Sequence, residues 1–194
     1  YIKKDIKDLA NIKDIRRFNN LLSVLASQSG QLVNIDQLSN VVGIAKQTVV
    51  SYLSILENTY VIKLVSPFSS SAKVEVVKAP KVFFYDTGLL KMLQLKTLQA
   101  GIFGNIFETS IFSELVKKYG ITNINFWRSK SNNEIDFILQ QRNTILPIEV
   151  KLNFHEFNTR GMLPFLEKYR LNTYKVVGLD GHKSQPEFIY PWEM

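Results

Sequence analysis

The chain has 194 residues, with 24 Lys+Arg against 17 Asp+Glu and a net charge of +7. Hydrophobic residues make up 45% and charged residues 21%, a globular composition that excludes a disordered chain. Cysteine is absent, which excludes disulfide scaffolds, thiolate metal sites and cysteine nucleophiles, and two histidines, His155 and His182, are too few for a multi-histidine metal site.

The length allows one large domain or two small ones, each with a core of its own. No apolar run approaches the roughly 20 residues of a membrane helix, and no signal-peptide pattern opens the chain. A cytoplasmic location without membrane contact is expected. The first residue is Tyr1, which reads as part of a longer protein. Residues 1–34 hold six Lys/Arg against three Asp/Glu, residues 35–97 seven against four, and residues 98–194 eleven against ten. The positive surplus thus lies in the first half. Such a bias favours a polyanionic partner, although plain solubility accounts for it as well.

Ile2, Ile6, Leu9 and Ile12 recur at helical spacing, followed by Ile15, Phe18, Leu21, Leu22 and Leu25, and predict one or two core-packing helices ending near Gly30. Asp36 can cap a short helix containing Leu38, Val41 and Val42, and Gly43 supplies a turn. A second helix is expected from Lys46 to Asn58, with Val49, Val50, Leu53 and Leu56 inward. Helix, Gly-containing turn and helix is the form of a helix-turn-helix. Residues 60–65 and 74–85, separated by Pro67 and a serine run, read as the hairpin of a winged helix. In a DNA-bound form Lys46, Gln47, Thr48, Ser51 and Tyr52 would face the major groove, and Lys73, Lys78 and Lys81 the phosphates. A winged helix serving as a lid or a protein contact competes with that reading. Residues 88–103 read as a connecting helix and linker.

The second half changes rhythm. Helix is expected over 105–119, strands over 124–128, 134–139 and 145–152, helix over 159–170, and strands over 174–179 and 188–190. The order is α-β-β-β-α-β-β, giving an α+β or α/β protein with domains at 1–97 and 98–194.

Glu108 shares a helix face with Ile111, Phe112 and Leu115, where an unpaired charge is costly, so a partner is expected. Alternation puts Ile135, Phe137 and Leu139 on one face of their strand and Glu134, Asp136 and Ile138 on the other. In the next strand Glu149 and Lys151 share a face. A four-residue loop, 141–144, would set Asp136 directly opposite Glu149, and a two-residue loop would set them diagonally. Both registers gather the two carboxylates and Lys151. Close carboxylates repel unless a cation lies between them. All-oxygen donors suit a hard ion, Mg²⁺ or Mn²⁺, which can polarise a phosphodiester oxygen and lower the pKa of a bound water. Lys151 could orient that water or stabilise the charge developing on phosphorus. The competing reading is a structural cross-strand salt bridge on a solvated face.

Asp136, with Glu149-Val150-Lys151 thirteen residues on, resembles the D…ExK motif of the PD-(D/E)xK nuclease superfamily, and Glu108 matches an acidic residue on its preceding helix. The whole chain also resembles the C-terminal half of a bacterial and archaeal group of AAA-type ATPases. The resemblance runs through residues 80–89, 104–115, Trp127-Arg128, 134–137 and 148–151. In that group a P-loop ATPase domain precedes a winged helix and a nuclease-like domain of unknown function. This chain has no GxxxxGK[ST] match, so ATP binding by that route is not expected. The resemblance implies that Asp136 and Glu149 hold the metal, Glu108 supports it directly or through water, and Lys151 assists the water and phosphate. Arg128 and Lys130 would contact phosphate, and His155 reads as a surface-loop histidine. Pro147, just before the motif, restricts its strand to an edge or a strand start.

The expected function is the DNA-associated region of an AAA-type ATPase, with a Mg²⁺- or Mn²⁺-dependent endodeoxyribonuclease-like domain. The expected partners are DNA and the P-loop ATPase domain, with a homo-oligomer as a candidate assembly. The alternative is a non-catalytic DNA-binding, ATPase-regulatory or oligomerisation module whose acidic cluster is structural.

Overall fold

The computed structural model describes residues 12, 14–69, 79–95, 103–142 and 144–194. The chain divides into two compact units, one of Tyr1–Leu64 with Ala79–Ala100, the other of Val65–Lys78 with Gly101–Met194.

In the first unit, α1 (Ile15–Ser27) starts where Asp14 accepts the Arg17 N–H, and it buries Phe18, Leu21, Leu22 and Leu25. The next helix, α2 (Ile35–Val42), is capped by Asn34 rather than Asp36. Asn34 holds the extended cap conformation and takes the Gln37 N–H at 3.0 Å. Asp36 lies within the first turn and pairs with Lys46 at 2.8 Å. Gly43 ends α2 at φ 70°, a left-handed conformation that glycine adopts without a Cβ penalty. α3 (Lys46–Asn58) follows, with the predicted bounds. Its inward face is Val49, Tyr52, Leu53 and Leu56, and Val50 is exposed. β1 (Ile62–Val65) and β2 (Lys81–Phe84) form a two-stranded sheet, and α4 (Thr87–Leu95) follows. Among the described residues no helix is long and apolar enough to cross a membrane.

The second unit contains α5 (Gly104–Tyr119), β3 (Ile124–Arg128), β4 (Glu134–Gln141), β5 (Thr144–Asn153), α6 (Leu163–Tyr169), β6 (Lys175–Asp180) and β7 (Phe188–Ile189). They build one mixed sheet in the order β3-β4-β5-β6-β7. The first three strands are antiparallel neighbours, and β5-β6 and β6-β7 are parallel. A parallel β5-β6 pair requires a crossover, which residues 154–174 supply with α6. The predicted helix over 159–170 is instead a 3-10 turn, Thr159–Gly161, and then α6, with Pro164 in its first turn. Proline there withdraws an N–H that has no intrahelical partner anyway.

Pro147 stands in a central strand, not an edge strand. It faces Ile138 on β4, and pairing with β6 begins only at Ile148↔Lys175. That part of β5 has a neighbour on one side, so the missing N–H breaks no ladder toward β6.

One apolar cluster joins Phe68, Trp127, Ile135 and Ile138 to Met162, Phe165 and Leu166 around α6. A second joins Phe154, Val176 and Phe188. A Cβ on Gly178 of β6 would meet three atoms of the buried Phe154 ring, the farthest at 2.7 Å. Gly178→Ala therefore forces the ring aside and should cost about 1–3 kcal/mol. The urea midpoint of the variant should fall with an unchanged m-value; an unaltered midpoint would show that the ring moves freely.

Candidate functional site

Strict alternation fails at one place in β4. β3 pairs Asn125 with Ile138 and then Trp127 with Ile135, so Phe126 alone faces both Asp136 and Phe137. This is a β-bulge, which bends its strand and re-aims the side chains on it. The expected face of Ile135, Phe137 and Leu139 is broken as a result. Ile135 and Ile138 enter the same cluster, while Phe137 stacks on Phe112 of α5 with ring centroids 6.4 Å apart.

β4 and β5 pair from Gln141↔Thr144 to Phe137↔Ile148. Past that point β4 stays with β3 through Ile135 and Glu134. β5 stays with β6 through Glu149↔Val176, Lys151↔Gly178 and Asn153↔Asp180. The two strands part like a fork, and Asp136 Oδ2 accepts the Val150 N–H at 2.8 Å. A carboxylate thus pairs a strand amide in a buried residue, where an orphaned N–H is costly. Only residues 142–143 connect the strands, yet the register leads to Asp136 opposite Glu149, because pairing runs one step beyond Gln140↔Ile145. The expectation that so short a loop would place them diagonally is corrected by that register.

Asp136 and Glu149 have side chains 15% exposed, and that of Lys151 is 26% exposed. Lys151 Nζ donates to Glu149 Oε1 at 2.7 Å and lies 3.9 Å from Asp136 Oδ2. Burial pushes the Glu149 carboxyl up to about 7; the Asp136 charge adds to the rise and Lys151 opposes it. For Lys151, burial acts to lower the pKa. The charges of Asp136, Glu149 and Glu108 and the bond to Glu149 outweigh it, and the net shift is upward. The ammonium therefore stays charged, and one lysine faces two close carboxylates with a third in range. Glu108, half-buried on α5, acts on Lys151 through its charge. Among the described residues no group of three or more His, Asp or Glu is arranged to hold a metal ion. The structure joins Asp136, Glu149 and Lys151, with Glu108 near enough for its charge to act on Lys151.

The other predicted residues are scattered. Arg128 ends β3, 3.4 Å from Glu134 Oε2, and donates to Asn132 Oδ1 at 3.1 Å. Lys130 is exposed in the following turn, and His155 is exposed in a 3-10 turn. In the first unit Lys46, Gln47 and Ser51 are exposed and Thr48 is half-buried. Tyr52 departs from the expected DNA-facing set: it is 7% exposed, its ring edge-to-face on Phe18 at 5.1 Å. Its position on α3 shares the inward face with Val49 and Leu56, and the core claims it. Lys81 departs too, since every residue of β2 is buried and Lys81 is 2% exposed. Lys73 and Lys78 lie outside the described residues. Sequence reasoning missed Phe154 and Gly178, which brace the strand end after Lys151. The signal was a glycine inside a strand pattern, which marks a close approach.

Residues 1–100 match a family described as a domain of unknown function, DUF8612, and residues 103–192 match another, DUF4143. An uncharacterized protein of Haemophilus influenzae is 28% identical over 178 residues, 87% of this chain and 43% of that protein. Uncharacterized proteins of Mycobacterium bovis and Mycobacterium tuberculosis are each 21% identical over 188 residues, 94% of this chain and 43% of theirs. The chain spans less than half the length of these curated relatives. No solved structure matches it.

The raised Glu149 pKa has a stability consequence. A carboxyl whose folded pKa lies above its unfolded value of 4.5 contributes stability below 4.5 and loses it as pH rises through about 7. Glu149→Gln removes that charge and keeps an acceptor for Lys151. In chelator-treated buffer the variant should be more stable than wild type at pH 8 by about 2–3 kcal/mol. The margin should shrink to near zero by pH 4.5; urea unfolding at several pH values reads it, and a pH-independent margin would contradict the assignment.

Proposed function

We propose, for a chain that belongs to the DUF8612 family and takes no activity from that membership, a metal-dependent nuclease-like role on DNA within a longer AAA-type ATPase. In this reading the C-terminal unit is a PD-(D/E)xK domain and the N-terminal unit a winged helix. The carrying observation is the fork between β4 and β5, where Asp136, Glu149 and Lys151 meet in a half-buried cluster. The helix pair α2 and α3, joined through Gly43 and followed by the β1-β2 sheet, supports a winged helix. Lys46, Gln47, Thr48 and Ser51 would then face DNA. Relatives more than twice as long leave room for the ATPase domain that the resemblance implies.

The donor set fits Mg²⁺ or Mn²⁺. Two oxygen-donor carboxylates lie side by side with Glu149 pushed up to about 7, a charge deficit that a cation relieves. Mg²⁺ in particular takes one or two carboxylates and keeps several waters, so a third close carboxylate is not required. When bound, the ion would supply Lewis-acid polarisation of a phosphate oxygen and a more acidic water. Asp136 and Glu149 would hold it, and Glu108 would support it through water. Lys151, held charged beside Glu149, would orient the attacking water and stabilise the extra charge on the phosphoryl oxygens as the bond to water forms. Asp136 also fixes the Val150 backbone, so the residues either side of it on β5 are presented at a set height in the fork.

The Lys151–Glu149 pair itself favours a second reading, a non-catalytic DNA-binding or ATPase-regulating module, because it already satisfies one carboxylate. Cleavage of branched, single-stranded and duplex DNA with Mg²⁺ or Mn²⁺ separates the two. Nuclease chemistry predicts cutting that Asp136→Ala and Lys151→Ala each reduce by roughly 100-fold or more. It also predicts a Mn²⁺-induced rise in Tm that Asp136→Ala abolishes. Absence of cutting with salt-sensitive DNA binding would select the second reading.

A further inference from the structure

The sheet carries a second chemical feature in the same row as Lys151. Lys151 is level with Gly178 on β6, and the β6-β7 register, Val176↔Phe188 and Val177↔Ile189, runs on to set Gly178 beside Tyr190. Residues level across parallel strands point to one face, so Lys151, the Cβ direction of Gly178 and Tyr190 share it. The Phe154 ring fills the space over Gly178 and lies 5.4 Å from the Tyr190 ring. Two strand spacings, about 10 Å, separate the backbones of Lys151 and Tyr190.

Trp192 then stacks flat on Tyr190, centroids 4.7 Å apart and planes within 12°. Trp192 is 73% exposed, whereas the chain's other tryptophan, Trp127, is 7% exposed in the core. The stack is held from several sides. Tyr190 N–H donates to Glu193 Oε2 at 2.7 Å, and Tyr190 Oη donates to the Gly181 carbonyl at 2.9 Å. Lys183 Nζ sits 5.3 Å from the Tyr190 ring centroid and donates to Glu193 Oε1 at 2.6 Å. Pro191 begins the 3-10 turn that carries Trp192. A large aromatic surface open to solvent is therefore seated on a restrained Tyr190, which costs hydrophobic burial and limits the entropy lost on binding a flat partner.

The geometry points to Tyr190–Trp192 as a stacking platform for an unpaired nucleobase of the nucleic acid whose phosphodiester lies at Asp136, Glu149 and Lys151. The inference rests on the nucleic-acid reading of this unit and specifies it: the substrate class is DNA with a single-stranded segment or end. Every base has a π-face, so the platform selects unpaired over paired bases without selecting sequence. Bases inside a duplex are already stacked on one another on both faces and do not reach it.

Fluorescence anisotropy of a labelled dT oligomer, in chelator to prevent cutting, tests it on this chain. Trp192→Ala should weaken single-strand binding by roughly 5- to 150-fold, the range of one base–aromatic stack. Trp192→Phe should retain most of the affinity, and dT should quench wild-type emission more than that of Trp192→Ala. An affinity unchanged in Trp192→Ala, or wild type that binds no dT oligomer, overturns the platform. So does a Trp192→Ala effect confined to self-association in sedimentation, which would make Trp192 a contact between copies. The two readings fail separately. Absence of Mg²⁺- or Mn²⁺-dependent cutting with the Trp192 effect intact removes the nuclease and keeps the platform, and cutting with no Trp192 effect does the opposite.

Discussion

The hydrogen bond from the Val150 N–H to Asp136 Oδ2 holds the candidate site together. Where β4 and β5 separate, a strand amide would lose its ladder partner, and leaving it unpaired in a buried residue costs about 1–3 kcal/mol. A carboxylate on the bulge takes that N–H, so the fork opens without an orphaned donor. The bulge is the other half of the arrangement: the extra residue in β4 turns Asp136 and Phe137 away from the cluster that holds Ile135 and Ile138. Phe137 then packs on Phe112 of α5, the helix that bears Glu108.

That geometry has an electrostatic price. Asp136 is brought beside Glu149 in a place where each is only 15% exposed, and Glu149 loses much of its acidity in consequence. Lys151 compensates in part, drawn to both carboxylates and held protonated by them. Two carboxylates thus share one ammonium. A carboxyl perturbed by burial and a like charge marks a candidate functional site, although structural ion-pair networks perturb such groups too.

On the other side of Lys151 the sheet is braced by aromatic rings rather than charge. Phe154 stacks on Phe188 at 4.8 Å and touches Tyr190, and it fits only because residue 178 has no side chain. The strand that presents Glu149 and Lys151 is thus fixed at its end by a packed ring and near its middle by the Asp136 hydrogen bond. In the N-terminal unit a comparable division holds on α3, where Val49, Tyr52, Leu53 and Leu56 form the core and Lys46, Gln47, Val50 and Ser51 remain outside.

Much of this was legible in the residues alone. Helical spacing and turn residues located α3 with its observed bounds, β3 with its observed bounds, and the order of elements in the second unit. Those signals are local: a period of 3.6 or 2, a glycine turn, an apolar run. Strand alternation and the short connection likewise put Asp136, Glu149 and Lys151 on one face. Spacing sets Tyr52 with Val49, Leu53 and Leu56 on one helix face, but it could not name Phe18 as the ring that Tyr52 packs on, nor decide that Val50, at the edge of that stripe, faces solvent. Nor could it show the bulge, since an extra residue in one strand exists only relative to its partner. The sequence by itself determined which chemical groups lie on which local elements. The pairing of distant strands decided how those groups face one another, because register and burial are properties of two segments in contact and belong to neither one alone.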